Sequence, residues 1–247
     1  MLRVGRCKYN RGKRTDPLVE GFSSIVVLTW SASEWGIIGP YCLKDERGCI
    51  MENKWQASKV YKWVPAVYEK LHKNNPIVIW KHPKETHVDD DGKLTPQYYD
   101  WRYKLMHNMY AVRYPVNFYH RHNCLYALDE VDGKIVDDVP LDYVTARKKI
   151  YVRDYCRLVK LQPKFRELQR RLKNGEPLLI IEVDGPHQES LDYYKKTYGV
   201  DNDFIQQDTM LVTERNINIM LNDIKHPYGH GYCLAMALLD KEIEWNK

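Results

Sequence analysis

Hydrophobic positions along this chain fall into short continuous runs separated by polar and Pro/Gly-rich stretches, a pattern that predicts buried strands alternating with helices. Ile25 to Trp30 reads as a buried strand, followed by a loop from Ser31 to Pro40. A turn at Asp45 to Gly48 leads into a predicted helix from about Met51 to Trp63, which Pro65 interrupts. Ile77 to Trp80 is a second short strand. Between Lys81 and Pro140 the pattern loosens, with an acidic turn at Asp89 to Gly92, a helix start at Thr95-Pro96 and a hairpin turning at Asp132-Gly133. That stretch reads as an insertion packed on the core. Leu141 onward is helical, Pro163 restarts the helix and Gly175 ends it. Leu178 to Val183 is the strongest strand signal, and it runs into Asp184-Gly185-Pro186-His187, a loop at a strand's C-terminal end, where α/β sheets often bind ligands. Helices around Leu191 to Tyr198, Glu214 to Leu221 and Tyr232 to Glu244 complete the chain.

The longest apolar runs are about half of what a bilayer span requires, so no membrane helix is expected. A length of 247 residues suits one domain with a sizeable core. The opening residues carry charge without an apolar segment behind them and do not read as a secretory signal. Six cysteines without a CxxC pair suggest reduced thiols and a cytoplasmic setting.

Charge changes the picture more. The net charge is +5, yet residues 1–15 alone hold six Lys or Arg and no acid, and residues 142–174 hold eleven against three acids. Everything else is net acidic. Segregation of this kind favours phosphate-bearing partners; the alternative is two solvated charge runs. Residues 1–20 are accordingly expected to form a basic arm on a single domain.

Three constellations could carry chemistry. On a continuous helix Glu52, Gln56, Lys59 and Trp63 would lie within about 60° of one another, a carboxylate, an amide, an amine and an indole on one stripe at the core's margin. A Glu and a Lys paired on a half-exposed face would give the same spacing. The second is Glu182-Val183-Asp184-Gly185-Pro186-His187, a carboxylate platform or an ordinary turn. The third, His120-x-His122-x-Cys124 with His226 and His230, lacks the second half of a zinc site, and no metal is expected. No P-loop, dinucleotide fingerprint or GxSxG element occurs.

These residues, in this order, resemble the NADAR superfamily, the small α/β proteins also called YbiA-like. Ser33-Glu34-Trp35 is similar to the family's loop, Glu52, Gln56 and Lys59 fit its ExxxQxxK helix, and Lys164-Phe165 with Leu168 fit its basic helix. Glu182 with Asp184 fits its acidic strand end, and Gly229 to Ala235 its closing helix. The resemblance covers residues 23–65 and 141–240, with 81–140 inserted. It implies an α+β or α/β fold, mostly helical around a small central sheet, and N-glycosidase chemistry without a cofactor. Glu52, Lys59 and Asp184 would be the catalytic residues. Ser33, Glu34, Trp35, Asn53, Trp55, Gln56, Arg113 and His187 would hold the substrate. That substrate would be a nucleobase of DNA carrying ADP-ribose, met through residues 1–15 and 142–174, at the nucleoid or nucleus if not in the open cytoplasm. The alternatives are a riboflavin-pathway ribosylaminopyrimidine phosphate, or a non-catalytic module that binds nucleic acid or ADP-ribose.

Overall fold

Five residues, Leu178–Glu182, form a strand that is buried at every position, which explains why this run carries no polar alternation. Leu2–Arg6 and Ser23–Val26 flank it, both parallel to it, and Thr209–Leu211 pairs antiparallel with Leu2–Arg6 at the sheet's edge. The computed structural model describes residues 1–28, 33–72, 75–116, 118–131, 133–136 and 139–246, with 65–72, 75–85 and 118 described by their backbone alone. The protein is a mixed α/β structure, and among the described residues no helix is long and apolar enough to cross a membrane.

Contacts divide the chain into two units, residues 1–39 with 152–247, and residues 40–151. The first unit contains the four-stranded sheet. Helix His230–Leu238 is buried at all nine positions and packs on the central strands and on helix Arg153–Val159, as its apolar sequence HGYCLAMAL requires. Helix Pro163–Lys173 opens with Pro at its first turn and buries only Phe165 and Leu168, leaving its basic side chains on the other faces.

Several expectations need correction here. Residues 1–20 are not a free arm: Leu2 and Val4 are core residues of a sheet strand, and the strands of the hairpin Lys8–Asn10 with Lys13–Thr15 are exposed at every position. Alternation of small apolar and basic residues hid a strand whose apolar side chains point inward. The strand expected over Ile25 to Trp30 covers Ser23–Val26; Trp30 to Ala32 lie outside the described residues. The last helix is broken at Asp240, whose φ of 54° no helix accommodates, and resumes as Glu242–Trp245.

The second unit is built on Met51–Ala57, packed against helix Pro96–Met106 over a core that includes Val60, Tyr98, Trp101, Leu105 and Leu128. Thr95 caps the latter helix by accepting from the Tyr98 N–H, the start that Thr95-Pro96 predicts. The Ile77 to Trp80 signal lies in strand Asn75–Glu85, which pairs antiparallel with Val64–His72 across a register shift beside Pro65. The turn at Asp89 closes on the Gly92 N–H as expected; Asp132 lies outside the described residues.

The helix expected to reach Trp63 stops at Ala57, and Lys59–Tyr61 is a strand paired with Cys124–Ala127. The cause is competition for backbone groups. A longer helix would join the Tyr61 N–H to the Ala57 carbonyl. Instead Arg102 Nη1 donates to the Ala57 carbonyl at 2.9 Å, and the Tyr61 N–H donates to His87 Nδ1 at 3.1 Å. The next pair is divided too: the Ser58 carbonyl accepts from the Leu128 N–H at 2.8 Å, and the Lys62 N–H donates to the Asn123 carbonyl at 3.0 Å. β-branched and aromatic residues at Val60, Tyr61 and Trp63 favour the exchange.

His87 is fully buried against Trp101, Tyr98 and Tyr61, and burial pulls its pKa from 6.5 to about 3. The folded state therefore holds a neutral ring while the unfolded chain takes up a proton, so stability drains away as pH falls from about 6.5 toward 3, at about 1.4 kcal/mol per pKa unit. Histidine NMR signals should show one ring that does not titrate above pH 4, and its absence in His87→Gln identifies it. A ring titrating near pH 6.5 would place His87 in water.

Candidate functional site

The Glu52, Gln56 and Lys59 side chains form one hydrogen-bonded relay within the second unit. Lys59 Nζ donates to Gln56 Oε1 at 2.7 Å, and Gln56 Nε2 donates to Glu52 Oε1 at 2.8 Å. The amide's two ends thus match an amine on one side and a carboxylate on the other. Glu52 and Gln56 are each only 6% exposed. The stripe expected on one helix is therefore made by a helix and the strand that follows it. The Trp63 ring lies against His120, 4.8 Å away.

Lys59 Nζ also lies 4.7 Å above the Trp55 ring, whose other neighbours are Tyr151, edge-on at 5.3 Å, and Tyr143. Burial lowers the Lys59 pKa below that of an ordinary lysine, and the charges of Cys124 and Glu52 only partly offset it. An amine with a depressed pKa has a larger neutral, nucleophilic fraction near pH 7. Asn53, by contrast, spends its amide on the backbone: Nδ2 donates to the carbonyls of Asn108 and Tyr110, and Oδ1 accepts from the Val112 N–H. It fastens the 108–112 segment to the helix, which commits the side chain to structure and not to the substrate-binding role expected of it. Arg113 is exposed, with its guanidinium 5.1 Å from the Tyr114 ring.

The other expected residues belong to the first unit. Ser33 Oγ donates to the Val26 carbonyl at 2.8 Å. Trp35 is buried, with Lys164 Nζ 4.6 Å and Arg171 5.6 Å from its ring, and the same Lys164 pairs with the exposed Glu34 at 2.6 Å. Asp184 is half-buried in the bend after the central strand, and His187 is half-buried with Nδ1 3.4 Å from Glu189. Burial and then Arg6 lower the His187 pKa, so the ring is neutral near pH 7.

Glu182 ends the central strand and is buried. Its side chain is 1% exposed and accepts from the Gly231 N–H at 3.0 Å, at the N-terminus of helix His230–Leu238. Burial, then the charge of Asp184, raises its pKa well above an ordinary carboxyl; the N–H groups of residues 230–232 oppose the shift. His230 lies 3.3 Å away through Nδ1 and donates through Nε2 to the Val27 carbonyl. The Gly-x-Gly at 229–231 is a fit around this carboxyl, because a Cβ on either glycine would fall within 2.7 Å of a Glu182 oxygen.

The basic stretches deliver less surface charge than their sequence suggests. Arg147 is 1% exposed and sits over the Tyr143 ring, while Arg153, Lys160, Lys164 and Arg171 are ion-paired. Lys8 pairs with Asp208, and Arg6 with Glu189. His122 and Cys124 are exposed and His120 is half-buried, and among the described residues no three His, Cys, Asp or Glu side chains are grouped as a metal ion would require. Sequence reasoning missed Arg102 and His87, whose roles are long-range, and treated His226 only as half of a metal pair although it is bonded to Asp223 at 2.6 Å. The Asp-x-x-His spacing beyond a helix end was the available signal.

Comparison with family models, with curated protein sequences and with solved structures finds no match to the chain.

Gly231→Ala should destabilise the protein by about 3 kcal/mol, since the new methyl must push aside a buried carboxyl or the helix end. Urea unfolding reads this directly. An unchanged midpoint would mean that Glu182 does not sit in the helix terminus.

Proposed function

We propose that the protein is an N-glycosidase of the NADAR type, cleaving the C1′–N bond of a ribose-phosphate compound. The observation that supports this most is the Glu52–Gln56–Lys59 relay, which matches the family's ExxxQxxK pattern with side chains joined by hydrogen bonds. Breaking a C1′–N bond builds positive charge at C1′, which the Glu52 carboxylate stabilises. Water adds to C1′ and gives its proton to the departing nitrogen, the resulting hemiacetal opens to the aldehyde, and the neutral Lys59 amine can add to that aldehyde, forming a Schiff base and releasing water; hydrolysis of the imine frees the ribosyl product and the amine. Gln56 holds the two groups in register. Asp184 belongs to the other unit, and the proposal does not depend on it.

For the substrate, the exposed hairpin and the outer face of helix Pro163–Lys173, with Arg166, Arg170 and Lys173, favour a nucleobase of DNA carrying ADP-ribose. The ion pairing of Lys8, Lys160, Lys164 and Arg171 favours the second reading, a small ribosylaminopyrimidine phosphate.

Incubation with ADP-ribosylated DNA and with ribosylaminopyrimidine phosphate, followed by mass detection, should show release of a ribosyl product. Glu52→Gln and Lys59→Ala should each reduce release by at least about 100-fold while the protein stays folded. Turnover retained in both variants would sink the assignment, and binding without release would leave a non-catalytic module. Borohydride added during turnover should fix a ribosyl adduct on Lys59.

Binding to single-stranded and duplex DNA across a salt series separates the two substrates. If DNA is the substrate, log K falls with log salt by about 0.9 for each phosphate contacted. A flat line removes the nucleic-acid reading.

A further inference from the structure

In the first unit, Ser190 ends the 3₁₀ turn Gln188–Ser190 and directly precedes helix Leu191–Tyr198. Its Oγ lies 2.9 Å from His226 Nε2, and His226 Nδ1 lies 2.6 Å from Asp223 Oδ2. The Asp223 side chain is fully buried and that of His226 only 10% exposed. A carboxylate can only accept, so it fixes the imidazole as the Nδ1–H tautomer and leaves the Nε2 lone pair facing the serine hydroxyl.

The carboxylate is itself over-determined. Tyr193 and Tyr198 donate to Oδ1 at 2.7 and 3.2 Å, and Tyr194 donates to Oδ2 at 3.0 Å. The Lys225 and His226 N–H groups add bonds at 3.3 and 3.2 Å. Burial pushes the Asp223 pKa up, but the hydrogen bonds from Tyr193, His226, Lys225 and Tyr194 outweigh it and keep the group ionised. Pro227 follows His226 and stiffens the loop that carries it. An ordinary tie between the 223–229 loop and its surroundings needs only Asp223 and His226. It does not need a half-buried hydroxyl on the far nitrogen, at the end of a helix whose positive pole favours an oxyanion on that hydroxyl.

We propose that Ser190, His226 and Asp223 form a second catalytic site, a nucleophilic triad that hydrolyses carboxylic esters, independent of the ribosyl chemistry. Such a triad is recognised by geometry and role, whatever fold or chain order carries it. Ser190 Oγ bonds to the acyl carbon while its proton passes to His226 Nε2. The bond to the leaving alkoxide breaks, and that proton leaves with it as the alcohol. Water then adds to the acyl carbon, giving a proton to Nε2 that is returned to Oγ as the carboxylic acid departs. Asp223 is a positioning residue throughout, holding the tautomer and the imidazolium.

The test uses the full-length protein with a biotinylated fluorophosphonate and with p-nitrophenyl acetate. Peptide mass spectrometry should find one phosphonyl adduct, on Ser190, formed with loss of fluoride. Ser190→Ala should abolish labelling, and Ser190→Ala and His226→Gln should each lower p-nitrophenol release by at least about 100-fold. Asp223→Asn should lower the maximal rate much more than substrate binding, as a tautomer defect does. If Ser190→Ala loses the wild-type melting temperature, Ser190→Cys keeps the geometry and should react with iodoacetamide faster than the exposed Cys42 and Cys124, as read peptide by peptide. No labelling of Ser190, labelling indifferent to His226, ester hydrolysis unchanged in Ser190→Ala, or a thiol in Ser190→Cys no faster than the other two overturns the proposal.

Discussion

One hydrogen bond that is not made governs the candidate site. In a continuous helix the Tyr61 N–H would bond to the Ala57 carbonyl; here Arg102 takes the carbonyl and His87 takes the N–H. The chain must therefore leave the helix after Ser58 and enter a strand. That turn brings Lys59 Nζ over the Trp55 ring and onto the Gln56 amide, whose other end holds Glu52. Arg102 also pairs with Glu130 in the same buried cluster, so removing Glu130 would take away a charge partner of a buried guanidinium, and removing Arg102 would free the helix end. The site's geometry thus rests on residues far from it in sequence.

The first unit is organised around a buried carboxyl in a different way. Glu182 stands at the C-terminal end of the central strand and at the N-terminal end of helix His230–Leu238, tying the sheet to its most buried helix. An anion is favoured at a helix N-terminus while burial opposes it, and the raised pKa shows that burial prevails. Gly229 and Gly231 are needed because of how close that carboxyl lies. The same strand end leads into the turn that bears Ser190, and helix His230–Leu238 is approached through the loop that bears Asp223 and His226.

Much of the architecture was legible in the sequence because it follows from local rules. The central strand showed as an unbroken apolar run, and the helices starting at Pro96 and Pro163 were marked by their prolines. The Glu-Gln-Lys grouping was legible as well, although its expected reason, a single helical stripe, was not the one realised. What could not be read was tertiary. The strand Leu2–Arg6 looked like part of a basic arm because nothing local shows that Leu178–Glu182 and Thr209–Leu211 flank it. The substrate role expected of Asn53 gave way to backbone bonds with residues 108–112, and Arg147 lies buried against Tyr143 instead of adding to a basic face. Counting charges along a chain overstates the field when their partners lie scores of residues away, as Lys160 with Glu242 shows.

The central claim is that Lys59 is a desolvated amine held to a carboxylate through Gln56. Its most direct test is the pKa of that amine, followed by NMR of the lysine side-chain carbons with Lys59→Arg used for assignment. The account predicts a Lys59 pKa clearly below the ordinary lysine value of about 10.4, and lower still in Glu52→Gln, where the favourable charge is gone. A Lys59 that titrates like the surface lysines, or that does not respond to Glu52, would contradict it.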